Sequence, residues 1–544
     1  MSRPKISLWP ALPKSVIRPE IYGHFAEHLG RCIYEGVWVG EEARLPNENG
    51  LRLDVLAALK HLRAPVVRWP GGCFADDYHW RDGVGPRGER PATANVWWRQ
   101  GEPNEFGTNE FMRFCRALGC QPYLCANVGS GSPREARDWV EYCNFGGDSS
   151  LSAARGRDGS PEPHGVKYWG VGNENWGCGG RFSGGDYAKE FARYGTYMKA
   201  MDPSIELVAC GASVGDRRNP MQNDWNHEFC AGMKHPDLVD HIALHRHFSR
   251  GSGKDFSDSD FRGLFADVFM LERDLKLTEA LLSYHYPDKL VGIMVDEWGM
   301  WHPEAQIENG LEQDHTLRDA LLAASVLNLF NRWSHRVTMA NIAQTVNVLQ
   351  CLAMTQGNRM FLTPTYYAFE MMRPHMGARL ITHETDSPSY FANASGGSGP
   401  KYSFEGLAPT DRGTFQSPIE TGAPTDRGTF QSPFEGGRPE GPGDVVFSVP
   451  LLDASVSMAG KKVLVTVVNR SLDADLETVI QLREARAASV SAKVMSAADP
   501  RAANSFAVPS GVASKRAKVE AVEGGTIVHV FPRHSLTSLT ITLE

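Results

Sequence analysis

An alternation of β-rich and helical segments constrains the fold of the first 350 residues most strongly. Eight apolar runs typical of buried strands occupy residues 21–27, 66–70, 122–127, 166–172, 206–212, 241–247, 290–295 and 337–347. Helical patterns, such as those over 110–117, 136–142, 187–200 and 317–330, separate most of them. Eight β-then-α units predict a (β/α)8 TIM barrel, in which the chemistry lies at the carboxyl ends of the strands.

The composition changes after this region. All ten cysteines lie at or before Cys351, and all thirteen tryptophans lie at or before Trp333. Apolar residues then alternate with polar ones, as around Val463 and Leu539, which is typical of antiparallel strands. We therefore predict an N-terminal segment over 1–18, a barrel over 19–373 and an all-β domain over 374–544.

The predicted β-domain contains a segment rich in Gly, Pro and Ser, from about residue 387 to 443. An eleven-residue sequence, APTDRGTFQSP, begins at Ala408 and recurs at Ala423. Two copies are too few for a solenoid, so the segment is interpreted as a surface insertion between strands. The alternative is an arm that contacts substrate or a partner.

Charge and apolar content exclude several classes of protein. A net charge of -8 argues against a nucleic-acid or anionic-membrane surface. The N-terminus has no apolar run of signal-peptide length, and no stretch reaches the roughly 20 apolar residues of a membrane span. The ten cysteines include no Cys-x-x-Cys pair, which predicts reduced, mostly buried thiols in a cytoplasmic protein.

Two glutamates follow buried runs and indicate the chemistry. Glu174 ends the fourth predicted strand, and Glu297 ends the seventh. A single acidic residue there would be interpreted as a helix cap or a surface charge, but two carboxylates at one pocket are the working groups of a glycoside hydrolase. Their neighbours fit that chemistry: Asn173 offers an amide to a sugar hydroxyl, and Trp298 an apolar wall that raises a carboxyl pKa or covers a sugar face.

Other residues are predicted at the same rim. Glu27 ends strand one, and Gln344 lies near the end of strand eight. Arg68 either pairs with a catalytic carboxylate or forms a structural ion pair. Trp97 and Trp98, on a loop, either stack on a sugar or pack beneath the loop.

Two histidines on strand six also belong to the predicted rim. His245 and His247 are alternate residues, so they share one face of the strand. A metal site is the alternative interpretation, but no second pair has ligand spacing and no His-Glu-x-x-His motif occurs. We therefore expect neither a metal nor a cofactor.

Several motifs together resemble glycoside hydrolase family 51, the α-L-arabinofuranosidases. The resemblance runs from about Pro19 to the C-terminus, apart from the repeat insertion. Its most specific parts are YGHFAEHL at 22–29, RWPGG at 68–72, DGVGP at 82–86, WVEYCN at 139–144, GVGNENW at 170–176, VDEW at 295–298 and LTPTY at 362–366.

The resemblance implies a barrel followed by a β-sandwich of jelly-roll type, which the N-terminal segment joins. It also implies retaining hydrolysis of terminal arabinofuranosyl groups, no metal, and assembly into hexamers. By resemblance, Glu174 is the acid/base and Glu297 the nucleophile; the furanose ligands are Glu27, Asn173 and Gln344, and Cys73 lies in the same pocket.

The sequence departs from the family at one position. The family usually has a tyrosine, bonded to the nucleophile, two residues after the histidine of strand six, and this chain has His247 there. Other retaining glycosidases, acting on β-xylosides, β-glucans or galactofuranosides, remain open as alternatives, as does a non-catalytic sugar-binding protein. The sequence does not choose among arabinan, arabinoxylan and small oligosaccharides as substrate.

Overall fold

The computed structural model describes residues 3–213, 224–394 and 445–544. Eight parallel strands close into a barrel, in which each strand pairs with the next along the chain and the last pairs with the first. Each of them overlaps one of the eight predicted runs, so the predicted TIM barrel is confirmed.

Up to residue 372 the described residues form nine α-helices and fifteen strands, the first of which joins the C-terminal sheet. The helices are α1 (Leu53–Leu62), α2 (Thr108–Leu118), α3 (Pro133–Asn144), α4 (Ser150–Arg157), α5 (Gly184–Met201), α6 (Trp225–Gly232), α7 (Asp258–His285), α8 (Leu317–Arg332) and α9 (Pro364–Met372). The strands are β1 (Lys5–Val16), β2 (Gly23–Phe25), β3 (Asn47–Glu48), β4 (Leu51–Arg52), β5 (Val66–Trp69), β6 (Thr93–Asn95), β7 (Gln100–Glu102), β8 (Gln121–Ala126), β9 (Tyr168–Val171), β10 (Glu206–Ala209), β11 (His241–Phe248), β12 (Gly292–Met300), β13 (Val337–Ala343), β14 (Ala353–Gln356) and β15 (Arg359–Leu362).

The remaining described strands follow α9. They are β16 (Arg379–Asp386), β17 (Ser389–Ala394), β18 (Val445–Pro450), β19 (Leu452–Ala459), β20 (Lys462–Asn469), β21 (Leu476–Leu482), β22 (Ala487–Met495), β23 (Lys515–Ala517), β24 (Ala521–Glu523), β25 (Thr526–Phe531) and β26 (Ser535–Leu543).

The barrel interior is filled with side chains. Seven strands, β5 and β8 to β13, each contribute one buried residue to a single cluster, whose members are Val66, Tyr123, Tyr168, Val208, Ala243, Met294 and Met339. Such a layer makes the barrel a packed core rather than a pore. Polar chemistry is therefore confined to the mouth above it.

The C-terminal domain is a ten-stranded sheet, and β1 lies inside it. β1 pairs antiparallel with β16 and parallel with β21. Strands near both ends of the sheet, including β22 and β25, contribute to one apolar core, so the sheet folds over itself. This arrangement places the N-terminal strand in the domain formed by the end of the chain.

The predicted insertion starts later than the sequence indicated. Residues of β17 pair antiparallel with β18, and this ribbon packs on α7, where the rings of Phe447 and Phe269 stack 5.4 Å apart. The prediction that residues 389–394 belong to the linker was wrong, because they form β17. This strand gave a weak sequence signal, since it has only six residues and the Gly-rich run follows it directly. The tandem repeat lies outside the described residues.

A search of the described helices for a membrane span found none with the length and apolar character required.

Candidate active site

Two carboxylates meet at the mouth of the barrel. Glu297 lies on β12, and Glu174 follows the end of β9. His245 of β11 lies between them, with Nδ1 2.8 Å from Glu174 Oε1 and 3.6 Å from Glu297 Oε2. The two oxygens are thus no farther apart than the sum of these distances, a range that includes the roughly 5–5.5 Å of retaining glycosidases.

Glu297 is surrounded by cationic and hydrogen-bonding groups. Arg68 Nη1 lies 3.1 Å from one carboxylate oxygen, and His247 Nε2 lies 2.9 Å from the other. Burial alone would raise the pKa of Glu297, but the charge of His245, the bond from His247 and the charge of Arg68 outweigh it and hold the pKa well below its usual range. Glu297 is therefore ionised at neutral pH.

His245 is held in the complementary state. Burial lowers its pKa, but the charge of Glu297 and the hydrogen bonds to Asp296 and Glu174 prevail and raise the pKa to about 10. An imidazolium consequently lies between the two side chains at neutral pH, and its charge helps to hold Glu297 ionised.

Arg68 pairs with the carboxylates of both Glu297 and Asp296, which fits both sequence interpretations. Its side chain is 1% exposed, and besides Glu297 it donates to Asn173 Oδ1 at 2.6 Å. Its Nε also lies 3.5 Å from Asp296 Oδ2. Arg68 thereby couples the proposed nucleophile to the residue that precedes Glu174.

Sequence reasoning missed Asp296. This buried carboxylate accepts a bond of 2.7 Å from Tyr123 Oη and lies 3.2 Å from His245 Nε2. The register of β12 shifts against both neighbouring strands in this stretch, so Asp296 and Glu297 both reach His245 and Arg68. An acidic residue inside a buried strand, directly before Glu297, was the available signal.

The backbone around Glu174 adopts a conformation that depends on glycine. Gly172 has φ +82°, and a Cβ there would lie 2.2 Å from Asn175 Oδ1. Glu174 itself has φ +43°, in the left-handed region that side chains rarely adopt. Strained residues of this kind concentrate at functional sites.

Asp76 holds this turn in place, and sequence reasoning missed it too. The buried carboxylate accepts bonds from the backbone N–H of Asn173 at 2.7 Å and of Val128 at 2.8 Å. It thus ties the loop after β5 to the ends of β8 and β9. In this loop the sequence analysis singled out the RWPGG motif and Cys73, but not Asp76.

Glu27 forms a second polar centre at the mouth, near Glu297. Its Oε1 accepts from Gly72 N at 2.9 Å and from Trp98 Nε1 at 3.0 Å, and its Oε2 accepts from Gln344 Nε2 at 2.9 Å. Burial and then the charge of Glu297 raise the pKa of Glu27 to about 7, against the lowering effect of these bonds. The hydrogen bond from its indole to Glu27 places Trp98 at the rim as well.

The raised pKa of Glu27 predicts a pH-dependent stability. The folded protein holds this proton more tightly than the unfolded chain, so the stabilising contribution is complete below about pH 4.5 and is lost as the pH rises toward 7. The slope is at most about 1.4 kcal/mol per pH unit. Thermal midpoints of Glu27→Gln and the parent should therefore diverge in favour of the variant across this window. A matched exposed variant, Glu308→Gln, should show no such divergence; equal behaviour of both variants would contradict the assignment.

Trp298 does not face the pocket, so the prediction of an apolar wall there was wrong. The side chain is fully buried and packs on Phe330 of α8 and Phe369 of α9, at ring distances of 5.6 and 6.3 Å. Successive residues of a strand point to opposite sides, so Glu297 inside the mouth requires Trp298 outside it.

The prediction that every cysteine is reduced was also wrong. Cys73 and Cys178 form a disulfide, while the other eight cysteines are free. The pair joins the loops after β5 and β9, and 105 residues separate the two positions along the chain. No local spacing could reveal a pairing that the barrel creates.

His247 occupies the predicted position beside Glu297. Its Nε2 bonds the carboxylate, and its ring packs edge-on against Trp301 at 5.1 Å. Nδ1 is buried and has no hydrogen-bond partner among the described residues. A bond donated from Nε2 would run in the same direction as the bond that a tyrosine hydroxyl would make.

Known proteins show the same organisation. Residues 58–250 match the family model of the α-L-arabinofuranosidase 1 domain, and residues 296–535 match that of the α-L-arabinofuranosidase C-terminal domain. An intracellular exo-α-L-arabinofuranosidase of Bacteroides ovatus is 42% identical over 378 residues, covering 68% of this chain and 72% of the relative. A probable α-L-arabinofuranosidase C of Aspergillus niger is 36% identical, with coverages of 72% and 78%.

Solved structures agree. The GH51 arabinofuranosidase of Xanthomonas axonopodis pv. citri superposes with a TM-score of 0.84 at 32% identity, covering 99% of this chain and 100% of that one. The α-L-arabinofuranosidase of Thermotoga maritima gives 0.82 at 30% identity, with the same coverages. With both domain models matched and these relatives similar over most of their length, the chain belongs to the α-L-arabinofuranosidases of glycoside hydrolase family 51.

Proposed function

We propose that this protein is a retaining, exo-acting α-L-arabinofuranosidase that releases terminal arabinofuranosyl groups by double displacement. The observation that carries the proposal is the pair Glu174 and Glu297, brought together around His245 with Glu297 held ionised. Similarity to enzymes named arabinofuranosidases supports the sugar.

The two glutamates take different roles in this mechanism. Glu297 attacks the anomeric carbon while Glu174, protonated, gives its proton to the leaving oxygen. A covalent glycosyl-enzyme forms, with the configuration inverted. Glu174, now a base, takes a proton from water, which attacks the same carbon and releases the sugar with its original configuration.

The surrounding residues bind the furanose and orient the two carboxylates. Glu27, Gln344 and Asn173 offer carboxylate and amide groups to the sugar hydroxyls, and the indole of Trp98 lies beside Glu27. Arg68 keeps Glu297 ionised and fixes the amide of Asn173.

The natural substrate is proposed only as a class. Arabinan, arabinoxylan and their oligosaccharides all present terminal arabinofuranosyl groups. The Bacteroides ovatus relative is named an intracellular exo-enzyme, which supports exo action and a cytoplasmic location for this chain. Family resemblance supports a homohexamer, which light scattering on the purified protein would test.

The test of the proposed function uses an aryl α-L-arabinofuranoside in aqueous methanol. We expect release of the phenol and formation of methyl α-L-arabinofuranoside, because methanol attacks the glycosyl-enzyme from the face that water uses. Aryl β-xyloside, aryl β-galactofuranoside and a β-glucan serve as competing substrates. Formation of the β-methyl glycoside, or faster turnover of a competing substrate, would refute the proposal.

His247 is expected to tune Glu297. Removing its hydrogen bond with His247→Phe should lower kcat/KM by about 10- to 100-fold, since bonds to charged groups contribute about 1.5–3 kcal/mol. His247→Tyr restores a donor without an imidazole and should recover most of the rate. His247→Tyr exchanges the imidazole for a phenol, so rates and pH–rate profiles are compared among the parent and both variants. Equal rates and profiles for parent and His247→Phe would show that His247 only packs.

A further inference from the structure

A disulfide lies beside the proposed acid/base. Cys73 begins the short 3-10 helix Cys73–Asp77 after β5, and Cys178 lies four residues beyond Glu174. Their Cα atoms are 5.6 Å apart. Both residues are half-buried at the mouth of the barrel, so small solutes can reach them.

Three potential ligand atoms converge here. Cys178 Sγ is 3.9 Å from Glu174 Oε2, and both sulfurs and a carboxylate oxygen of Glu174 lie within 4.8 Å of one another. Across residues 3–213, 224–394 and 445–544, no other group of three or more His, Cys, Asp or Glu residues offers ligand atoms this close together.

The other cysteines differ in access. Seven of the eight free cysteines are buried, and Cys120 is the half-buried exception. Burial raises the pKa of Cys125 to about 12 and of Cys32 to about 11, so these side chains stay thiols. Cys73 and Cys178 are the reachable pair within the described residues.

The oxidation state decides what this pair can bind. A disulfide is a poor metal ligand, whereas two thiolates and a carboxylate form a set suited to tetrahedral Zn²⁺ or Cd²⁺, with water as the fourth ligand. Disulfides are rare in the cytoplasm, the location proposed above, and those that occur there are usually redox-active.

We propose that reduction of the Cys73–Cys178 disulfide creates an inhibitory site for a thiophilic divalent cation, with both thiolates and the carboxylate of Glu174 as ligands. A dithiol or phosphine reductant supplies two electrons to the S–S bond, and each sulfur takes up one proton. Cation binding then releases those two protons, because thiolates are the ligands.

Inhibition follows from the third ligand, and this part rests on the proposed function. A Glu174 oxygen bound to a cation neither donates a proton to the leaving group nor takes one from water. The cation would also lie at the mouth through which the sugar enters. A chelator should restore activity, because no bond of the chain is altered by the cation.

The experiment titrates the full-length protein with Cd²⁺ after reduction by a water-soluble phosphine, which ends as its oxide with oxygen from water. The ultraviolet charge-transfer band of cadmium thiolate reports binding, and equilibrium dialysis gives the stoichiometry. We expect one Cd²⁺ per reduced chain, no band from the disulfide form, and loss of aryl arabinofuranoside hydrolysis in proportion to occupancy.

Matched variants locate the ligands. Reduced Cys178→Ser should lose at least about 100-fold in affinity, more than removal of an outer-shell partner typically does. Cys120→Ser, which removes a half-buried thiol elsewhere, should bind Cd²⁺ like the parent. Glu174→Gln should keep the band but bind more weakly. Thermal midpoints of each variant, with Cys178→Ala as a second substitution, establish that the loss is not unfolding.

Two results would overturn the proposal. One is equal Cd²⁺ binding by reduced parent and Cys178→Ser, and the other is unchanged affinity in Glu174→Gln. The cation site and the proposed activity can fail separately, because the charge-transfer band is measured without substrate. A protein that binds Cd²⁺ as expected but hydrolyses no arabinofuranoside would refute the proposed activity and would still support the cation site.

Discussion

Glu297→Ala should abolish hydrolysis of an aryl α-L-arabinofuranoside, with a loss of about 10⁴-fold or more in kcat, as for other enzymes that lose a covalent nucleophile. No glycosyl-enzyme can form without this carboxylate. The alanine variant would leave an empty cavity and remove the carboxylate partner of Arg68, His245 and His247. Glu297→Gln is therefore the companion variant, because it keeps the side-chain volume. Steady-state rates and thermal midpoints of both variants test the expectation.

The control for this prediction is an exposed glutamate that follows the same strand. Glu308→Ala should keep the rate of the parent, because this side chain is exposed and lies beyond β12. Residual activity of Glu297→Ala above about one per cent, with a normal thermal midpoint, would contradict the role of nucleophile. Added azide gives a second test of the nucleophile role. If Glu297 is the nucleophile, azide replaces it in the variant by attacking the substrate directly, and the product is the β-configured glycosyl azide.

The barrel and the position of two glutamates at its mouth could be predicted from sequence because both are local signals. A buried strand announces itself by a short apolar run, and the residue just after it lies at the rim in any parallel barrel. This rule places Glu174 at the rim. Glu297 follows its predicted run, although β12 extends past it to Met300. Glu27, Gln344 and Arg68 are likewise placed by the ends of strands β2, β13 and β5.

The features that were predicted wrongly or missed depend on the direction of a side chain or on contacts between residues far apart in sequence. Trp298 is adjacent to Glu297 in sequence, but its ring packs into the helix layer. The register shift within β12 breaks the simple alternation from which this orientation could have been counted. Asp76 and the Cys73–Cys178 disulfide join loops that are about 50 to 105 residues apart. No periodicity records such contacts, since they arise only when the barrel closes.

Glu174→Ala should separate the two steps of the reaction. An aryl leaving group needs little protonation, so formation of the glycosyl-enzyme should survive, while its hydrolysis slows because no base activates water. A burst of phenol followed by slow turnover is the expected kinetic trace. Loss of Glu174 also removes the carboxylate 2.8 Å from His245 Nδ1, so the pH dependence of the residual rate should change.

Azide should rescue this variant, and the product reports the mechanism. Azide needs no base and fits the space left by the Glu174 side chain, so it attacks the glycosyl-enzyme directly. Attack by Glu297 inverts the anomeric centre once and azide inverts it again, so the product should be the α-configured glycosyl azide. Proton NMR of the purified azide gives the configuration. The β product would mean that azide attacked the substrate directly, before any covalent intermediate had formed. Either that product or no rescue at all would mean that the assignment of the two carboxylates is wrong.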